Sequence, residues 1–74
     1  MKTLDLHHRR YIDIRRLVIR FIEDNWGKPE RLEIITGKSG QMQKLVGEVL
    51  DEYTLDYTIP LSNPGCIFVE MEET

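Results

Sequence analysis

Two short segments of the sequence carry side chains that could act on a phosphodiester. Asp5 and His7 stand two residues apart in LDLHH, and a carboxylate at this spacing can hold an imidazole in one tautomer for acid–base chemistry. GKSG at 37–40 combines a lysine with backbone amides that can bind a phosphate. Each segment also has a structural interpretation, a polar pair at a strand edge and a glycine turn. Each segment alone therefore leaves both interpretations open.

The spacing of apolar residues predicts the elements that must position these two segments. Strands are predicted where apolar residues alternate or β-branched residues cluster, at 2–7, 32–36, 57–61 and 66–71. Helices are predicted where apolar residues recur at helical spacing, at 11–25 and 41–53. Pro60 indicates that the third strand lies at an edge or ends there. Gly47 is expected to permit close packing of the second helix, and residues 72–74 are expected to form a frayed tail.

The order β-α-β-α-β-β predicts an α/β fold, an α+β two-layer sandwich with a mixed four-stranded sheet covered on one face by two helices. A chain of 74 residues is long enough for one such domain, at 1–74. Parallel pairing of the first two strands brings their carboxyl ends to one edge of the sheet. Asp5, His7 and the 37–40 loop are therefore expected to lie close together, beside the start of the first helix.

Charge is distributed unevenly along the chain, although the net charge is only −3. Residues 1–31 carry eight Lys and Arg against five Asp and Glu, whereas residues 32–74 carry two against eight. Five arginines fall within twelve positions: Arg9, Arg10, Arg15, Arg16 and Arg20. A one-sided basic patch can bind phosphates even when the whole protein is acidic. The alternative is a solvated helix face with scattered ion-pair partners.

Several classes of protein are disfavoured by the sequence. A nucleotide-binding loop needs a glycine five residues before Gly37, and that position holds Leu32. His7 and His8, if both lie on a strand, point to opposite faces, and no Cys/His cluster has zinc-ligand spacing, so no structural zinc site is expected and no metal ligands are assigned. The single cysteine, Cys66, excludes an intrachain disulfide, and with no apolar span or signal-peptide core the expected location is cytoplasmic, with no membrane partner.

Three motifs together resemble the Smr (small MutS-related) domain family, found in MutS2-type and stand-alone proteins. LDLHH is similar to the family's L-D-L-H-G, IITGKSG to its [T/H]-G-x-G loop after a strand, and NPGCIFVEM to its closing strand. The chain departs from the pattern at two places. His8 stands where the family has glycine, and Ser39 occupies the second glycine position of the loop unless Gly40 takes that role.

The resemblance implies a fold similar to the C-terminal domain of bacterial translation initiation factor three, together with nucleic-acid binding and nicking endonuclease activity. Carried over by position, Asp5 and His7 would be catalytic. The predicted phosphate-binding residues are Thr36, Gly37, Lys38, Ser39, Gly40, Arg9, Arg10 and Arg16. The resemblance leaves open a divalent cation such as magnesium as cofactor, and DNA or RNA, including branched or structured forms, as partner.

Three function hypotheses follow from these residues and the resemblance. In a nuclease, His7 acts as general acid or base, Asp5 orients it or holds a cation, and the GKSG loop binds the scissile phosphate. In a binding module without catalysis, the arginines, including Arg20, and Lys38 contact phosphates. In a protein-interaction domain, Ile35 or Phe68 is exposed on the open sheet face.

Overall fold

The computed structural model describes residues 1–71, and the predicted tail at 72–74 lies outside them. The α/β class and the order β-α-β-α-β-β are confirmed, with the two helices and the mixed sheet forming a two-layer sandwich. The elements are β1 (Lys2–Asp5), α1 (Tyr11–Asp24), β2 (Leu32–Ile35), α2 (Gly40–Glu52), β3 (Asp56–Thr58) and β4 (Cys66–Glu70).

The sheet has the strand order β1-β2-β4-β3. β1 pairs with β2 in parallel, and β4 lies between β2 and β3, antiparallel to both. The predicted parallel first pair and antiparallel last pair are therefore both correct. β3 is an edge strand that ends two residues before Pro60, as the missing proline N–H requires.

The hydrophobic core fills the space between the sheet and the helices. In β2 and β4 every second residue faces this core, which leaves Leu32, Ile34, Ile67 and Val69 fully buried. The helices contribute one apolar stripe each, made of Ile14, Val18 and Ile22 from α1 and Met42, Val46, Val49 and Leu50 from α2. Each layer buries its main apolar surface against the other, so burial of these stripes stabilises the sheet and the helices together.

Two strand predictions need correction at their ends. The first strand was expected to reach His7 but stops at Asp5, because Arg9 N–H donates to Leu6 O at 2.9 Å and closes a turn. Leu6 is still fully buried. The third strand was expected at 57–61 but spans Asp56–Thr58, so Pro60 and Leu61 belong to the following loop. The helices and the other two strands agree with the predicted ranges to within one residue at each end.

The end of α2 turns the chain sharply back onto the core. Leu55 N–H donates to Leu50 O at 3.0 Å, across a Thr54 whose φ is +53°. This arrangement is a Schellman-type helix end, in which the left-handed residue is usually glycine. It packs Leu55 against the core, and it leaves Tyr53 and Thr54 at the end of the molecule where β3 begins.

The open face of the sheet is less exposed than expected. Ile35 and Phe68 were predicted to be exposed, and both are half-buried. The Arg31 guanidinium lies over the Phe68 ring, 4.7 Å from its centroid, and its Nε is 3.2 Å from a carboxylate oxygen of Glu70. The arginine therefore covers part of the apolar surface that the interaction hypothesis needed. Within residues 1–71, neither helix has the length and apolar content needed to cross a bilayer.

The expected close packing at Gly47 is confirmed and can be tested by a double-mutant cycle. A Cβ at Gly47 would lie 2.9 Å from the Tyr57 hydroxyl oxygen but 3.6 Å from the ring carbon that carries it. Alanine should add up to about 1 kcal/mol of helix propensity. We expect Gly47→Ala to stabilise the protein more in a Tyr57→Phe background than in the parent, as measured by urea unfolding. Equal effects in both backgrounds would contradict this contact.

Candidate functional site

Asp5 and His7 are joined by two contacts to one oxygen atom. The His7 backbone N–H donates to Asp5 Oδ1 at 3.1 Å, and His7 Nδ1 is hydrogen-bonded to the same Oδ1. An ionised carboxylate accepts only, so Nδ1 carries the proton. In the neutral ring, Nε2 is then the nitrogen with a lone pair, and within residues 1–71 it makes no hydrogen bond. The side chain is therefore oriented as a general base would be.

The electrostatics of this pair favour an ionised Asp5. The hydrogen bond from the His7 side chain, followed by the one from the His7 backbone, holds the pKa of Asp5 below its ordinary value. Both side chains are partly open to solvent, His7 at 41% and Asp5 at 53% exposure. A molecule in solution can therefore reach His7 directly.

The loop after β2 is fixed by the carbonyl oxygen of Gly65. This oxygen accepts from Thr36 N–H at 2.8 Å and from Gly37 N–H at 3.0 Å, while the Thr36 hydroxyl donates to Gly37 O at 2.9 Å. Gly37 has φ +67°, a left-handed conformation that costs other residues free energy. Thr36 is buried, so it stabilises the loop from the interior and cannot contact a large ligand such as a nucleic acid.

The two predicted segments lie side by side, as parallel pairing of β1 and β2 requires. A Cβ built on Gly37 would lie 3.3 Å from His7 Cβ, so the absence of a side chain at Gly37 lets the histidine turn approach the loop. Both segments are at the carboxyl ends of their strands. Asp5, His7 and the 37–40 loop thus form one surface, which we call the His7 rim.

Ser39 has a structural role that explains why a serine stands at this position. It is the N-cap of α2, and its Oγ accepts from Met42 N–H at 3.2 Å. The same Oγ lies 2.8 Å from the Tyr11 hydroxyl at the start of α1. The side chain that departs from the family's second glycine therefore links the first turns of the two helices.

The start of α2 presents unpaired backbone donors. The amides of Lys38, Ser39, Gly40 and Gln41 make no hydrogen bond within the described residues, as is usual before and in the first turn of a helix. The exposed Lys38 stands among them. Backbone donors, a helix dipole and a lysine together favour an anion beside His7.

The arginines divide into those near the His7 rim and those far from it. Arg9 lies in the turn that follows His7, and within residues 1–71 it makes no ion pair. Arg10 Nε and Arg16 Nη2 are each 3.3 Å from a carboxylate oxygen of Asp13. Arg20 lies nine residues after Tyr11, about 13 Å along the axis of α1, and so away from the rim.

Arg15 contacts the second helix and takes no part in the rim. Its Nη1 and Nη2 each lie 2.5 Å from one of the two carboxylate oxygens of Glu52, which is a bidentate bridge between α1 and α2. This hydrogen bonding raises the pKa of Arg15 and lowers that of Glu52. The alternative of a solvated helix face with ion-pair partners thus describes Arg15 correctly.

The condition of a shared strand does not hold for His7 and His8. His7 and His8 lie in a turn, and their rings are in contact with centroids 3.7 Å apart, tilted by 46°. They do not point to opposite faces of a sheet. Within residues 1–71, no group of three or more His, Cys, Asp or Glu side chains is placed to hold a metal ion.

The donor set at the rim does not fit a resident magnesium ion. Magnesium is held through one or two carboxylates together with water and phosphate oxygens. Asp5 is the carboxylate available here, and its Oδ1 already accepts from the N–H and Nδ1 of His7. Asp5 is therefore assigned to His7 and not to a metal ion.

Three positions at or beside the rim were missed by the sequence analysis: Tyr11, Gln43 and Gly65. Gln43 Nε2 donates to Pro64 O, next to the Gly65 carbonyl that holds the glycine loop. NPG was interpreted only as a turn and the start of a strand, and nothing in its composition indicates which loop it contacts.

Comparison with protein-family models, with curated proteins and with solved structures finds no match to this chain.

The contact between Asp5 and His7 can be measured by titration. We expect the carboxyl carbon of Asp5, followed by ¹³C NMR, to give a pKa below 3.8, and His7→Ala to raise that pKa. Because folding lowers the pKa of Asp5, the pair stabilises the fold above about pH 4, and this contribution is lost as pH falls through the folded-state value. His8→Ala is the control and should change the pKa of Asp5 much less. An equal change in both variants would refute the assignment.

The capping role of Ser39 predicts a specific loss of stability. Ser39→Ala removes the acceptor for Met42 N–H and should lower the free energy of unfolding by about 1 kcal/mol, the usual cost of a lost N-cap. Tyr11→Phe removes the hydroxyl contact but keeps the cap, so we expect a smaller loss. Urea unfolding measures both, and identical losses would show that the cap contributes nothing.

Proposed function

We propose that this chain is an Smr-type nucleic-acid-binding domain that nicks phosphodiester backbones. The observation that carries the proposal is the Asp5–His7 pair placed against Gly37, beside the unpaired amides at the start of α2. Attack at phosphorus needs a base for the nucleophile and donors for the phosphate oxygens, and an oriented imidazole next to a helix N-terminus supplies both. The resemblance of LDLHH and IITGKSG to the family's motifs supports the same function.

In this proposal, the scissile phosphate binds at the start of α2. Amides of the 38–41 segment donate to its non-bridging oxygens, and Lys38 adds a positive charge. Gly37 positions the loop and does not bind, because its N–H is already donated to Gly65 O. Arg9, in the turn after His7, contacts a neighbouring phosphate of the same strand.

His7 Nε2 acts as the general base. It takes the proton of the nucleophile while the Asp5 carboxylate holds Nδ1–H and stabilises the imidazolium that forms. With RNA the nucleophile is the neighbouring 2′-hydroxyl: the 2′-oxygen bonds to phosphorus as His7 Nε2 takes its proton, the bond to the 5′-oxygen breaks, and the leaving oxygen takes a proton from water. The imidazolium then returns its proton to solvent. The products are a 2′,3′-cyclic phosphate and a 5′-hydroxyl. Because RNA supplies its own nucleophile, we favour RNA, or partly single-stranded substrates, over duplex DNA.

Binding without cleavage is the second candidate function, and one observation favours it. Ser39 Oγ is engaged by Met42 N–H and the Tyr11 hydroxyl, and Gly37 N–H by Gly65 O, so two of the groups expected to contact the phosphate already have partners. Fewer donors at the transition state mean less stabilisation of developing charge. The arginines and Lys38 would still bind nucleic acid.

The decisive experiment is a nicking assay on structured RNA and on supercoiled plasmid, each with and without magnesium. We expect His7→Ala to lower the cleavage rate at least about 100-fold, since a general base contributes about 10²–10⁴-fold. Asp5→Asn should lower it less. His8→Ala is the matched control, because it removes an adjacent exposed histidine, and it should retain most of the activity. Cleavage that survives His7→Ala would show that His7 is not the base.

The salt dependence of binding tests the phosphate contacts of both candidates. We expect Arg9→Ala to reduce the slope of log affinity against log salt by about one unit for a structured RNA. Arg20→Ala, about 13 Å away along α1, is the control and should reduce it less. Binding that does not depend on salt would contradict both functions. Binding by the parent protein without cleavage would select the second.

A further inference from the structure

A second candidate site lies at the end of the sheet opposite to the His7 rim. Trp26, after α1, and Tyr53, at the end of α2, line a pocket of about 280 Å³ together with Leu55 and Met71. Glu70, which lines the pocket, follows Val69, and Val69 pairs with Leu32 at the start of β2. The glycine loop follows the other end of β2. The length of β2, roughly 13 Å, therefore separates the two sites.

Four of the eight residues that line this pocket are aromatic or apolar. The Trp26 and Tyr53 ring centroids are 5.7 Å apart with a tilt of 48°. Trp26 is the only tryptophan in the chain, and it is 54% exposed. Leu55 and Met71 pack against the hydrophobic core behind these rings. Exposed aromatic faces of this kind attract cations and planar groups.

The only charges that line the pocket within residues 1–71 are negative. Asp56 and Glu70 are both exposed, so they stand at the mouth of the pocket. They are also direct cross-strand partners in the β3–β4 pair, and like charges in that position destabilise a sheet. Arg31 pairs with Glu70 at 3.2 Å, and Asp56 makes no ion pair within the described residues. Arg31 thus offsets the charge of Glu70, and Asp56 is the carboxylate that has no cation within residues 1–71 beside the aromatic pocket.

We propose that this pocket binds an arginine side chain of a partner protein. The apolar stem of the arginine packs against the exposed faces of Trp26 and Tyr53, whose rings contact each other, and the guanidinium reaches the Asp56 and Glu70 carboxylates at the mouth. The bound cation gives Asp56 an ion-pair partner, as Arg31 does for Glu70. This site is independent of the His7 rim and does not require nuclease activity.

The size and charge of the pocket select this occupant over others. A volume of about 280 Å³ is at the lower limit of the roughly 300–1,000 Å³ that holds drug-sized ligands, so one side chain fits better than a larger molecule. A phosphate is excluded by the two carboxylates and by the absence of a lining cation within residues 1–71. A neutral nucleobase is the main competitor, because it could stack on the same two rings.

The test is a titration of the whole chain with a short peptide, acetyl-Gly-Arg-Gly-amide, followed by ¹⁵N NMR and by the fluorescence of Trp26. The comparison ligand is the same peptide with citrulline, which is neutral and nearly isosteric with arginine. We expect the arginine peptide to shift the signals of Trp26, Tyr53, Asp56 and Glu70, and the citrulline peptide to bind at least about threefold more weakly. Equal binding of the two peptides, or shifts elsewhere on the molecule, would overturn the proposal.

Two variants separate binding from folding. Asp56→Asn removes the like-charge pair, so it should stabilise the protein while weakening arginine-peptide binding about two- to fivefold. Glu48→Gln changes the net charge equally on the outer surface of α2 and should leave binding unchanged. Asp56→Asn that stabilises without weakening binding would overturn the proposal. Adenosine shifting the same signals more strongly than the arginine peptide would also overturn it, and would assign the pocket to a nucleobase.

Discussion

Parallel pairing of β1 with β2 is the constraint on which the rest of this molecule depends. A parallel pair needs a crossover, and α1 provides it, which commits one face of the sheet to helices. The same pairing brings the turn after Asp5 and the loop after Ile35 to one edge. The core, the position of the His7 rim and the start of both helices at that rim all follow from these four pairs of residues.

A single backbone carbonyl then determines the shape of the rim. Gly65 O accepts the backbone N–H groups of both Thr36 and Gly37, so the turn before β4 holds the loop that precedes α2. Ser39 and Tyr11 connect that loop to α1 in the same region. The histidine turn therefore packs against the glycine loop, and hydrogen bonds connect that loop to the first turns of both helices, although these segments come from separate parts of the chain.

The sequence was sufficient to predict the fold class, because each element has a clear period of apolar residues and the third strand has a clear stop signal in Pro60. It did not predict that β4 lies between β2 and β3, since a short turn requires only that β3 and β4 be neighbours. The proximity of His7 to Gly37 was predictable from strand order. The contact between His7 and His8, the Arg15–Glu52 bridge and the role of Gly65 were not, because they depend on turn geometry and side-chain conformations that spacing does not encode.

The two edges of the sheet have a consequence for behaviour at high concentration. β3 has three residues and is followed by Pro60, and β1 has four and begins with Lys2. Short edges, a proline and charged side chains are the features by which natural sheets avoid pairing with a neighbouring molecule. These edges therefore offer few unpaired donors and acceptors to template the growth of fibres.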